Sequence, residues 1–131
     1  MNTKLIMTLS ATFMAIIGIG LTFLPDEILK YTGMGSTELA RIILQLLGAL
    51  YFAFAMLNWM AKGAIIGGIY NKPISTANAT HFFIGALALL KALMHSTGAP
   101  TLFWVLAAIY LVFAICFGII FTRHPADKPA A

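Results

Sequence analysis

Apolar positions along this chain fall into four long runs, divided by short polar breaks. The runs cover about residues 5–24, 39–61, 77–95 and 101–122. Each is nearly free of charge over most of its length, and none alternates in the period-two manner of a membrane β-strand. Runs of about 20 apolar residues match the hydrocarbon thickness of a bilayer when coiled as α-helices. Such segments must satisfy their backbone groups internally, which a helix does. The pattern therefore predicts an all-α integral membrane four-helix bundle. Pro25, Pro100 and Pro125 lie at or beside the ends of runs, as expected of a residue that cannot continue a helix.

Composition strengthens this reading. Of 131 residues, 61% are hydrophobic and 9% charged, far from the mix of a soluble domain. Four spans of about 20 residues would absorb nearly all of the apolar side chains. A disordered chain, a disulfide scaffold and a nucleic-acid binder are excluded, the net charge of +4 arising from few acids. The first run is too long for a secretory signal and leads into Phe23-Leu24-Pro25, so it is read as an uncleaved span.

Lysine and arginine in the short loops set orientation. Lys4, Lys62, Lys72, Arg123 and Lys128 fall on one side; Lys30, Arg41 and Lys91 fall on the other. Both termini are accordingly expected in the cytoplasm, in a multi-pass inner-membrane protein. Nothing divides the chain, which reads as a single transmembrane domain over 1–131. One weak internal similarity pairs residues 47–55 with 106–114: Leu47, Ala49, Tyr51, Phe54 and Ala55 recur as Leu106, Ala108, Tyr110, Phe113 and Ala114. A parallel repeat of two hairpins would produce it, as would coincidence among the few residue types that membrane helices use.

Polar side chains inside spans are costly and mark candidate sites. At about 100° per residue, span two aligns Arg41, Gln45, Trp59 and Lys62 on one stripe, with Asn58 beside it. Span three gathers Asn78, His81, Lys91 and His95. These stripes are expected to face each other, forming one cluster near the outer face (Arg41, Gln45, Lys91, His95) and one near the cytoplasmic face (Asn58, Trp59, Lys62, Asn78, His81). Each residue also has a plainer reading. Lys91 can snorkel from a helix end, Arg41 can pair with Glu38, the asparagines can join helices, and Trp59 can sit in the interfacial belt. His81 is the strongest candidate. The glycine-rich stretch 62–73, with Gly63 and Gly67 four apart, reads as an interfacial or shallow re-entrant segment.

Several chemistries find no support. No acid lies inside a run, which argues against a carboxylate-driven proton antiporter. The single Cys116 cannot form a disulfide within one chain. His81 and His95 share one helix about 21 Å apart, and His124 follows span four, so bis-histidine haem ligation is strained. No zinc-protease, phosphate-loop or nucleophile-elbow motif is present, and no catalytic residue or cofactor is assigned.

The layout, the Phe23-Leu24-Pro25 end of span one, and the segment from Leu47 through Asn58-Trp59-Met60-Ala61-Lys62 to His81-Phe82-Phe83 resemble the DoxX-like group of small bacterial membrane proteins. That resemblance implies a four-helix bundle and, for some members, a quinone-coupled or accessory role. The leading expectation is a non-enzymatic membrane protein that binds an apolar or amphipathic small molecule (a lipid or quinone) or a partner subunit through spans two and three. Alternatives are an oligomeric channel or transporter, and an accessory subunit of a quinone-linked oxidoreductase in a larger complex.

Overall fold

The computed structural model describes residues 2–64, 66, 69–96 and 98–122, and all its regular elements are helical. Four helices are long and apolar enough to cross a membrane. They are α1 (Thr3–Phe23), α3 (Glu38–Ala61), α4 (Lys72–His95) and α5 (Thr101–Thr122). A short helix, α2 (Pro25–Tyr31), follows α1, and a turn of 3₁₀ helix (Ile69–Asn71) precedes α4. At about 1.5 Å per residue the long helices measure about 31–36 Å, enough for a hydrocarbon layer of about 30 Å.

Local chemistry fixes the boundaries. Asn2 accepts the Leu5 N–H at the start of α1, and Thr37 accepts that of Ala40 at the start of α3. Both are ordinary N-cap contacts. Pro25 ends α1 but also opens α2, since its missing N–H costs nothing in a first turn. Asp26 and Glu27 then sit at the positive end of that helix. The first loop is thus partly helical. Gly33, at φ 71°, provides the left-handed turn after it. The larger difference is α4, which begins at Lys72, five residues before the apolar run does. Pro73 lies in its first turn, where proline is tolerated, and Ser75 and Thr76 return their hydroxyls to the Lys72 carbonyl. Polarity in the sequence therefore concealed a full helical turn.

The chain resolves into two compact units. In the first, Asn2–Lys62, α1 and α3 pack antiparallel at very close range. A Cβ on Gly18 would lie 2.9 Å from the Gly48 carbonyl oxygen and from the Phe52 nitrogen. One on Gly48 would lie 2.8 Å from the Gly18 oxygen. Backbone meets backbone here, the packing that small residues allow between apolar helices. Met7, Met14 and Leu29 are fully buried in this unit. In the second unit α4 packs antiparallel on α5 around Phe82 and Phe117, also fully buried. Many large apolar side chains stay exposed on all four long helices, among them Ile16, Leu46, Ile84 and Ile115.

Candidate functional site

Polar side chains in the first unit are satisfied mostly by neighbours from α1 and α2. Arg41 donates through Nε and Nη2 to Asp26 at 3.2 and 3.0 Å, and through Nη1 to Glu38. Ser36 donates its hydroxyl to the same Asp26 carboxylate at 2.8 Å. The Arg41 guanidinium, helped by Ser36, holds the Asp26 carboxyl below its ordinary value. The expected Glu38 pair is present; Asp26 was missed because it lies 15 residues away. Gln45 reaches the Thr22 carbonyl of α1 at 3.5 Å.

Asn58 is fully buried and donates to the Ser10 hydroxyl of α1 at 3.1 Å, beside the Met14 sulfur at 3.8 Å. These partners of Gln45 and Asn58 come from span one. Trp59 is half exposed, and the Lys62 ammonium stands 3.0 Å over its ring. That cation–π contact ties both side chains to the end of α3.

In the second unit Asn78 is fully buried and donates to the Ile74 carbonyl of its own helix at 2.9 Å. Lys91 and His95 are exposed at the far end of α4, where the His95 ring nitrogen lies 2.8 Å from the Lys91 carbonyl. His81 has a different setting. Its Nε2 and the Tyr110 hydroxyl of α5 are hydrogen-bonded at 3.2 Å, the tautomer deciding which of them donates. Tyr110 is 2% exposed and His81 partly buried.

Gly85 and Phe82 hold this pair. Gly85, one turn beyond His81, lets the Tyr110 ring lie against the α4 backbone. A Cβ there would come within 2.7 Å of the ring's Cδ1. Phe82 meets His81 and Tyr110 edge-on, with centroids at 5.1 and 5.2 Å. It also stacks on Phe113 and Phe117 at 4.8 and 5.7 Å. Aromatic rings therefore continue from the polar pair toward the end of α5. Phe113 forms part of a second feature, an open apolar recess of about 300 Å³ lined by Ala108, Ile109, Val112 and Phe113.

Depth changes with the corrected start of α4. Counted from residue 77, His81 falls near a helix end. Counted from Lys72 it is about 14 Å inside. Tyr110 is likewise about 14 Å from the start of α5. The pair thus sits near the middle of both helices, well away from the charged ends. Tyr110 was noted in the sequence only through the weak repeat. A tyrosine midway along the most apolar helix carries its own signal, because a buried phenol usually finds a polar partner.

Among the described residues no group of histidine, cysteine and acidic side chains is arranged to hold a metal ion. His124, Arg123, Lys128 and Gly67 lie outside the described residues. Compared with known protein families, curated proteins and solved structures, the chain matches none.

Proposed function

We propose that this chain is a multi-pass inner-membrane protein that binds an amphipathic small molecule at the His81–Tyr110 pair. One observation carries the reading: an ionisable side chain and a phenol are hydrogen-bonded midway along two helices long and apolar enough to cross a membrane. Polar side chains at such depth are expensive, at about 2.5–3.5 kcal/mol for a charge, and mark ligand or transport sites by default. The aromatic rings beside the pair offer flat apolar surface, the usual complement to a few fixed polar groups in a small-molecule site. Asn58, Gln45 and Arg41 are occupied in helix packing, and they leave the binding role to α4 and α5.

Both termini are assigned to the cytoplasm. Lys62 and Lys72 lie at the ends of α3 and α4 on that side, whereas Arg41 opposite is engaged by Asp26 and Glu38. Membership of the DoxX-like group, four spans packed as one bundle, and a non-enzymatic role complete the proposal. The test is native mass spectrometry of the full chain in mild detergent. Wild type should carry a co-purified amphiphile, and His81→Ala should lower its occupancy severalfold while Asn58→Ala leaves it unchanged. Bare protein in every wild-type preparation would defeat the proposal.

A further inference from the structure

We infer that the end of the first unit where α1 begins and α3 stops is a seat for anionic phospholipid, with Lys4 and Lys62 meeting its phosphate. This rests on α1 and α3 crossing the membrane and is independent of the ligand proposed at His81–Tyr110.

The hydrogen bond between Asn58 and Ser10 sets the two antiparallel helices level with each other. Lys4 lies six residues before Ser10, and Lys62 lies four residues after Asn58. At about 1.5 Å per residue, the two lysines stand about 9 and 6 Å beyond that bond, toward the same end. Their depths agree within about 3 Å, and their flexible stems can level the charges further. The acids of this unit are elsewhere. Asp26, Glu27 and Glu38 lie at its other end, Glu38 being about 36 Å from Lys62 along α3. Among the described residues Lys4 and Lys62 have no ion pair, whereas Arg41 at the far end is engaged by two carboxylates. Two uncompensated ammonium groups at one face of a bilayer attract the anion found at that depth, which is a lipid phosphate.

Trp59 sharpens the choice of head group. It is 49% exposed, and the Lys62 ammonium stands 3.0 Å over its ring. An aromatic ring face is a good seat for a choline ammonium. This face already carries a cation, so a choline head finds it closed and its own charge opposed. An anionic head instead meets a lysine whose position the ring fixes without cancelling its charge. The indole N–H can donate to a glycerol ester oxygen at the same level, as interfacial tryptophans do. Leu5 and Leu9, exposed just beyond Lys4, give the acyl chains apolar surface.

The chain has two tryptophans, Trp59 and Trp104, so a Trp104→Phe background leaves Trp59 as the reporter. The full chain is reconstituted in mixed dioleoyl phosphatidylglycerol and phosphatidylcholine, with one lipid or the other brominated in its acyl chains. Bromine quenches tryptophan on contact, and the ratio of the two quenching curves gives the relative affinity beside Trp59. Phosphatidylglycerol should be preferred by about fivefold or more, the equivalent of one lysine near an anionic surface. Raised salt should narrow the preference. Lys4→Gln and Lys62→Gln should each reduce it and together abolish it, and Lys62→Arg should keep it. Lys30→Gln, the same loss of charge at the opposite end, should leave it unchanged. Equal quenching by the two lipids overturns the inference. So does a preference that survives the double substitution, or one that falls as far with Lys30→Gln. His81→Ala should not alter the preference, so this seat and the His81–Tyr110 site stand or fall separately.

Discussion

At the scale of single residues, glycines and one asparagine determine how close the helices come. Gly18 and Gly48 face each other's backbone, so a methyl group at either must push α1 and α3 apart. Gly48→Ala is expected to cost about 1–3 kcal/mol, the range for overpacking a tight contact. Gly20, on the same helix as Gly18, has nothing within 4 Å of its would-be Cβ. Gly20→Ala should therefore be neutral or stabilise by up to about 1 kcal/mol through helix propensity. Denaturant titration in detergent micelles measures both, and equal effects would refute the packing account. Asn58→Leu should cost at least the average of about 0.6 kcal/mol for an interhelical hydrogen bond, because it removes the donation to the buried Ser10 hydroxyl, which keeps only its own bond to the Met7 carbonyl.

At the scale of elements, α2 is held over the start of α3 by Asp26, Arg41 and Ser36. Asp26 has a carboxyl whose pKa is lowered by folding, so its contribution is complete at neutral pH. It is lost as pH falls below the ordinary value of 3.8 and through the lowered one. Wild type should unfold at a higher temperature than Asp26→Asn at pH 7, with the gap closing on acidification and narrowing in high salt. A gap independent of pH would assign the effect to packing. The four long helices were legible because bilayer-length apolar runs leave few other structures open. The beginning of α4 was not, because Lys72, Ser75 and Thr76 look like loop residues yet are satisfied by the helix's own first turn. His81 was legible as an isolated ionisable residue. Its partner was not, since a 29-residue separation is set by how α4 and α5 cross.

At the scale of the whole molecule, charges are sorted along the chain: Lys62 and Lys72 fall between α3 and α4, whereas Asp26, Glu27, Lys30, Glu38 and Arg41 fall between the end of α1 and the first turn of α3. Single-cysteine variants at Glu27 and Tyr70, in a Cys116→Ser background, should therefore label with a membrane-impermeant thiol reagent from opposite faces. Labelling of both from one face would overturn the four-span topology. Each unit also has a glycine at its helix crossing, used differently: Gly18 of α1 meets the α3 backbone at Gly48 and Phe52, whereas Gly85 of α4 meets the Tyr110 ring of α5. Only the second unit uses that crossing to bring a histidine and a phenol together.

Gly85 has no polar atom in its side chain, yet the hydrogen bond one turn away depends on it. The missing methyl is the space into which the Tyr110 ring settles, and that ring position is what brings its hydroxyl to His81. Refilling that space would act as a remote switch, breaking the bond with both of its partners still chemically intact. Position 85 is thus a control point that a survey of polar residues alone would pass over.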